Sequence, residues 1–432
     1  MKIMVIGQQA REHALLWRLS LSDQVSQLYV MPGNSYMDYW PKVQRVTPLD
    51  ADSVVKFCHQ VAMTYVLIGP FGPLESGLVD ELQAHHIRVI GAPQSAALLE
   101  GSKWFSKAFM MRYGIPTPAD KKINDLASLT PAMIQSVSFP CMIKSDRVIR
   151  SHFSAMKIDY AETDASHQSM INACETVFKT QANYYGQGAV LLEDFQVGRE
   201  VSFTIALDEK AWCPLATCQD YKKLGAGDIG PNTSGMGAMA PADWLSTTTY
   251  QKILRSIVMP TLEGMRAEKL LYRGFLYFGI LVTPKGDPLL LEYNCRLGDP
   301  EAQSLCLLLD DDLASMLFQL GQGNLAQFKP RWRSGYALSV YLVPKGYPTD
   351  CQGGHPLKIN PLRLDFSSTD RQFFTGAMAY RESDSSWISG DNRVFCLSAY
   401  AESIEEARAK IYPYFANIDR TFFHFREDIG LC

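Results

Sequence analysis

Most of the signatures that assign a protein class at sight are missing from this chain of 432 residues. It has no Cys-x-x-Cys pair and no His-x-x-x-His spacing, which argues against structural zinc and against a zinc-protease helix. Cys141, Cys213, Cys295, Cys306 and Cys396 lie in apolar runs, as small buried thiols do, so no disulfide framework is expected. The longest apolar runs, such as LLWRL and LCLLL, fall well short of the roughly 20 residues that a membrane span needs. The start, MKIMVIG, has one lysine and no extended apolar stretch, so a secretory leader is not expected. A net charge of −4 supplies no overall basic field for nucleic acid. Internal repeats and low-complexity tracts are absent. Gly-x-Gly-x-x-Gly is absent too, and the lone Gly7 after the first strand makes a nicotinamide-dependent dehydrogenase a weak reading. The expectation is a reduced, cytoplasmic protein with no membrane or nucleic-acid partner.

What remains is an ordinary globular composition, 47% hydrophobic and 20% charged, in a chain long enough for about three domains. Through the first hundred residues, apolar strands (KIMVIG, QLYVMPGN, YVLIGP, IRVIGAP) alternate with helical patterns. Such alternation predicts a parallel, doubly wound sheet with its functional loops at the carboxyl ends of the strands. SKWFSKAFMMRYG reads as a helix stopped by glycine, and IPTPAD as a two-proline connector. Strands are expected at SFPCMIKS, AVLLEDF, EVSFTIALD, GFLYFGILVT and DPLLLEYN, and GYALSVYLVPKGYP opens a last α+β unit.

Two stretches carry chemistry. In LLLEYNCRLGDPEAQ, an apolar strand presents Glu292 and Asn294 two residues apart and so on one face. Two hard oxygen donors aimed together suit a magnesium ion that also binds nucleotide phosphates. Arg296 shares the face if the strand continues, where it would clamp a carboxylate or phosphate. Asp299 reads equally well as a helix cap before Pro300. The second stretch, CQDYKKLGAGDIGPNTSGMGAMAPA, interleaves glycines with Asp220, Asp228, Asn232 and Thr233. It is too polar for a core and reads as a binding loop whose backbone approaches a small ligand closely.

These stretches, with REHAL at 11–15, PGN at 32–34, LIGPFGPLESGLVDEL at 67–82, LEGSKWFSKAFMMRYGIPT at 99–117, LLEDFQVGREVSF at 191–203 and FREDIG at 425–430, resemble the glycinamide ribonucleotide synthetase (phosphoribosylamine–glycine ligase) family of ATP-grasp enzymes. The resemblance runs nearly end to end. It implies an α/β fold: an N-terminal doubly wound parallel-sheet domain (1–103), a connecting helix and linker (104–122), a two-part ATP-grasp module with a lid (123–191) and a catalytic subdomain (192–326), and a C-terminal α+β domain (327–432). It implies ligation of glycine to 5-phosphoribosylamine with ATP and Mg2+ or Mn2+, through a glycyl phosphate, by a monomer or weak homo-oligomer. The match makes Glu292 and Asn294 the metal ligands and Lys103 and Lys144 the nucleotide lysines. Glu193, Asp194, Phe195 and Gln196 match the hinge bordering adenine, and Glu200 the acid that bonds the ribose. Asp220, Asn232, Thr233 and Arg296 match positions facing glycine and the aminosugar. Gly7, Arg11, Glu12 and His13, with Gly33 and Asn34, match the phosphoribosyl pocket, although His13 reads equally as a core histidine.

The pattern breaks in three loops. The family writes Gly-x-Gly-Gly-Arg-Glu-His where this chain has Gln8-Gln9-Ala10 between Gly7 and Arg11. After Lys144 the family has a glycine-rich lid, and here Arg147, Ser151 and Phe153 stand at its glycines and His152 at its lysine. Tyr221 and Ser234 replace the family's usual His and Gly. Two readings stay open: an active ligase in which Arg147 and Arg150 serve the phosphates from side chains, or a degenerate binding or regulatory relative.

Overall fold

The computed structural model describes residues 1–40, 42–47, 50–130, 133, 137–148, 155–158, 164–358 and 368–431. KIMVIG forms the strand Lys2–Gly7, buried on both faces. Ile3 and Val5 enter one core while Met4 and Ile6 enter another, which is why the run is apolar throughout rather than alternating. Around it a five-stranded sheet runs in the order Val43–Arg45, Gln27–Pro32, Lys2–Gly7, Tyr65–Ile68, Val89–Ile90. All its pairings are parallel, as the strand–helix alternation predicts. Strand order reverses between Lys2–Gly7 and Tyr65–Ile68, so the loops after Gly7 and Ile68 open a crevice there.

A second, antiparallel sheet has the order Asp120–Ile123, Val190–Asp194, Cys141–Ser145, Ala155–Ile158. The long helix Asp164–Tyr185 covers it, with Met170, Cys174 and Val177 packed on Ile143 and Leu192. Asp120–Ile123 falls in the stretch expected to be linker. Its charged sequence, DKKI, suits an edge strand and hides the strand signal. A third sheet, Trp212–Pro214, Arg199–Leu207, Gly274–Val282, Pro288–Asn294, has the wholly buried Gly274–Val282 at its centre.

The fourth sheet differs most from expectation. Tyr336–Pro344, Phe395–Ala401 and Arg371–Thr375 form the C-terminal unit, but the sheet continues into Gly237–Ala240 and Gln219–Asp220. Both ends of the glycine-rich loop are therefore hydrogen-bonded into the C-terminal sheet. The buried helix Glu301–Leu308 lies between this sheet and helix Ala10–Ser20, joining the two ends of the chain. Among the described residues no helix is long and apolar enough to cross a membrane.

His13 belongs to this seam. It is fully buried, and its Nδ1 accepts the Thr375 backbone N–H at 2.9 Å beside the Thr375 hydroxyl at 3.0 Å. Tyr36, Trp40 and Phe374 pack around its ring. Burial lowers its pKa from 6.5 to about 3. The unfolded chain binds a proton near pH 6.5 and the folded one does not. This contribution to stability is therefore complete above 6.5 and is lost toward pH 3, at about 1.4 kcal/mol per pH unit. The urea midpoint of wild type is expected to fall more steeply than that of His13→Gln as pH drops from 6.5 toward 3. Parallel slopes would contradict the assignment.

Candidate active site

The crevice of the first sheet opens into a cleft of about 720 Å³. Gln9, Arg11, Pro70 and Phe71 form its floor, the second sheet covers one end, and the third sheet and glycine-rich loop form the remaining walls. At the covered end, strand Cys141–Ser145 carries Lys144, and helix Lys103–Arg112 carries Lys103 and, one turn on, Lys107. Ser102 caps that helix, its hydroxyl accepting the Phe105 N–H at 3.1 Å. Asp146 adds to the cap. Its carboxylate accepts the Trp104 N–H and the Ser102 hydroxyl, each at 2.8 Å, and its carbonyl accepts the Lys103 N–H at 2.9 Å. A carboxylate at a helix N-terminus is electrostatically favoured, and here it fastens the Lys144 strand to the Lys103 helix.

Glu193 completes the arrangement. Its Oε1 pairs with the Lys144 ammonium and its Oε2 with Lys107 at 2.7 Å, in a buried setting. Burial alone would raise this carboxyl, but Lys144 and Lys107 outweigh it and hold the pKa below the usual range. Lys107 also donates to Thr117 Oγ1 at 2.6 Å and to the Pro118 carbonyl at 2.8 Å. Glu193 thus points inward at two ammonium groups, leaving Asp194, Phe195 and Gln196 on the cleft surface. Met110, Met142, Leu191, Leu281 and Leu291 make apolar walls there, suited to a flat base. Lys103 has no hydrogen bond or ion pair for its ammonium among the described residues. Burial lowers its pKa, with Glu292 opposing. A part-buried cation without a counter-ion attracts an anionic ligand.

Glu292 and Asn294 both face the cleft, by way of a bulge. Gly279 pairs with Glu292 and Ile280 with Leu290, leaving Leu291 as the extra residue that re-aims the strand. The strand ends at Asn294, so Arg296 reaches the site from beyond it rather than along its face. Arg296 donates from Nε to Glu100 at 3.0 Å, from Nη1 to the Leu297 carbonyl at 3.1 Å, and from Nη2 to Asn294 Oδ1 at 2.9 Å. Much of its fork is committed, so a free two-pronged clamp is not preformed. Lys222 lies 2.8 Å from Glu200 and 3.8 Å from Glu292, bridging two acids of the wall. Burial pushes the Glu292 carboxyl up, but Lys222, Lys103 and Lys144 prevail and lower it. Among the described residues no group of three or more His, Cys, Asp or Glu is placed to hold a metal by itself. One carboxylate and one amide oxygen, both facing the cleft, do fit magnesium or manganese that takes its other ligands from phosphate and water.

At the far end, Asp220 Oδ1 is buried and has no hydrogen-bond partner among the described residues. Burial and the neighbouring Glu301 raise its pKa well above the ordinary value. Gly235 sits at φ +100°, and a Cβ there would lie 2.8 Å from Asp220 Oδ1 and 2.5 Å from Pro300, so only glycine lets the loop close over this acid. Asn232 and Thr233 line the same wall, and Thr233 donates its N–H to the Lys222 carbonyl at 2.7 Å. Asp299 is not a helix cap. It holds Arg393 at 3.0 Å and accepts the Tyr341 hydroxyl at 2.5 Å.

The residues expected at the phosphoribosyl end separate. Arg11 lines the cleft, but its Nε donates to Glu12 at 2.6 Å. Glu12 is buried beneath Gly7 and Gly69, where a Cβ would come within 2.3 and 2.1 Å of it, and accepts the Gln9 N–H at 2.8 Å. His13 points into the C-terminal seam, as described above. Gly33 and Asn34 lie beside the Gly7 loop, with Gly33 donating to the Gly7 carbonyl at 3.1 Å and Asn34 to the Gln8 carbonyl at 2.9 Å. Glu12 and His13 are thus structural supports behind the loop, on a helix whose first turn is wholly buried.

Of the altered lid, residues 149–154, including Arg150, Ser151, His152 and Phe153, lie outside the described residues. Arg147 pairs with Glu75 at 2.6 Å and stacks 4.9 Å from the Tyr185 ring. Its charge is committed to an N-terminal helix, which does not support the expectation that it serves phosphates.

Sequence reading missed Lys107, Lys222, Glu100, Glu301 and Arg393, all of which line the cleft. Lys107 was findable, being four residues after Lys103 and so on the same helix face. Glu100 and Arg393 carry no local signal.

Residues 1–100, 101–302 and 337–432 match the N domain, ATP-grasp (A) domain and C domain of phosphoribosylglycinamide synthetase. The chain is 36% identical over 434 residues to the phosphoribosylamine–glycine ligase of Allochromatium vinosum, covering 100% of this chain and 98% of that one. The enzyme of the same name from Mesorhizobium japonicum is 34% identical over 433 residues, with the same coverage. The crystal structure of phosphoribosylamine–glycine ligase from Thermotoga maritima superposes with a TM-score of 0.81 at 26% identity, covering 99% of this chain and 100% of that one. A biotin carboxylase from Campylobacter jejuni shares the fold, with a TM-score of 0.71 at 13% identity.

Removing Lys107 leaves Glu193 buried against a single ammonium. Lys107→Met is expected to lower stability in urea denaturation by about 3 kcal/mol. A loss below about 1 kcal/mol would contradict the weight placed on this ion pair.

Proposed function

The chain belongs to the phosphoribosylglycinamide synthetase family, and on that footing we propose that it joins glycine to 5-phosphoribosylamine at the expense of ATP. The products are glycinamide ribonucleotide, ADP and phosphate, a step of de novo purine biosynthesis. One observation carries the reading. A single cleft collects two cation-bearing elements, a Glu292–Asn294 oxygen pair and an Asp220 oxygen that is buried without a partner among the described residues, all from separate parts of the chain.

In the first step a glycine carboxylate oxygen attacks the γ-phosphorus of ATP. The bond to the bridging oxygen breaks, and ADP departs, leaving glycyl phosphate. In the second, the amine of phosphoribosylamine attacks the acyl carbon, loses a proton, and phosphate leaves with the C–O bonding pair. Neither step needs a protein nucleophile, so the chain's contribution is placement and charge. Lys103 and Lys144 face the phosphates, the former with an ammonium that has no partner among the described residues. Glu292 and Asn294 would hold the metal, which offsets phosphate charge when bound. Asp194, Phe195, Gln196 and Glu200 border the nucleoside, and Asp220 receives an amine N–H. Asn232, Thr233 and the uncommitted N–H groups of Arg296 lie toward glycine, and Arg11, Gly33 and Asn34 toward the aminosugar phosphate. The net charge of −4 favours small-molecule partners over nucleic acid, and the family's chemistry suits a cytoplasmic monomer or weak homo-oligomer.

Purified protein with ATP, magnesium, glycine and freshly generated phosphoribosylamine is expected to form glycinamide ribonucleotide. Glu292→Ala is expected to reduce the rate by at least about a hundredfold. Wild-type product no greater than that of the variant would overturn the reading.

A further inference from the structure

The glycine-rich loop between Gln219–Asp220 and Gly237–Ala240 is a small ribbon, Lys223–Gly225 against Ile229–Asn232, most of whose second strand is exposed. Two strands alone are marginally stable in water. Yet this ribbon sets the positions of Lys222 and Asn232 at its base. The terminal segment FREDIG supplies what the ribbon lacks. Arg426, only 1% exposed, donates to the Lys223 carbonyl at 3.0 Å and to Asp228 at 2.7 Å. Asp428 grips the same guanidinium at 2.8 and 2.7 Å and accepts the Gly227 N–H at 2.8 Å at the ribbon's turn. At the ribbon's root, the buried Tyr221 hydroxyl accepts the Gly430 N–H at 3.1 Å, and the Tyr221 ring lies 5.1 Å from Arg426. Taking an arginine and a carboxylate out of water is costly unless their geometry is used, and here every strong contact of the pair ends on the ribbon or on the segment itself.

We propose that Tyr221 and Arg426 are positioning residues that tie the terminal segment to the substrate loop and so set where Asp220, Lys222 and Asn232 stand in the cleft. The proposal rests on the ligase reading of that cleft. Neither residue touches the cleft, so their effect reaches glycine and the aminosugar only through the loop. The nucleotide lysines stand on other elements, fixed by Asp146 and Glu193, and the loop reaches the nucleotide side only through Lys222 beside Glu200 and Glu292.

Tyr221→Phe removes the acceptor for Gly430 while keeping the ring, and Arg426→Lys keeps the charge while losing the fork. Hydrogen exchange at residues 223–236 is expected to quicken about tenfold in Tyr221→Phe, the factor that one hydrogen bond is worth, with helix Asp164–Tyr185 unchanged. KM for glycine is expected to rise by a similar factor in both variants, and by clearly more than KM for ATP, which the loop reaches only through Lys222. Arg426→Lys is expected to be less affected than Arg426→Ala, as partial rescue by charge requires. Unchanged exchange in the loop would overturn the proposal whether or not the protein is a ligase, and so would an equal rise in both KM values. Quickened exchange in a protein whose wild type makes no product would leave the brace standing and overturn the ligase reading alone.

Discussion

The Glu193 carboxylate between Lys107 and Lys144 is the interaction on which the nucleotide end of the cleft depends. Three charges are buried together, and the geometry compensates for their desolvation only because each ammonium meets its own oxygen. The lid strand, the hinge strand and the helix that follows the first domain are thereby held in one register. Asp146 repeats the logic from the other side, capping the helix that carries Lys103 with the residue two past Lys144. Lys103 is left as the cation among the three whose ammonium has no partner among the described residues, at the point where a phosphate would supply one.

The substrate end is organised differently. Its loop grows from the C-terminal sheet, so the last hundred residues are part of the site's framework and not an appendage to it. Arg393 donates to the Ser234 carbonyl at 2.6 Å and Arg426 holds the ribbon further out, so the loop is fixed from two directions. At the start of the altered lid, Arg147 is anchored on several sides. Arg147 is tied to Glu75, and Ser145 and Gln181 bind the backbone around it.

Local pattern made parts of this legible. An apolar strand with Glu292 and Asn294 at alternate positions announces an oxygen pair, and the alternation of strands and helices announces the parallel sheet. The bulge at Leu291 that aims the pair was not legible, because it arises from pairing with Gly279 and Ile280 elsewhere in the chain. His13 shows the same limit. Its neighbours in sequence suggest a phosphate loop, but its partner is Thr375, far along the chain, and the sequence carries no mark of that contact. Glu100 resembles any acid near a helix end until Arg296 and the Cys295 N–H are seen to meet it. The edge strand Asp120–Ile123 and the double origin of the C-terminal sheet were hidden for the same reason. Long-range pairing leaves little trace in a local window.

On the proposed function, two fixed lysine elements and the Glu292–Asn294 pair together make a site for ATP with its metal, despite the missing lid glycines. Calorimetric titration of the purified protein with ATP, in the presence and absence of magnesium, tests this most directly. Saturable binding is expected, stronger by about tenfold or more with magnesium, because two oxygen donors bind the ion only together with phosphate. No binding under either condition, or binding indifferent to magnesium, would contradict it.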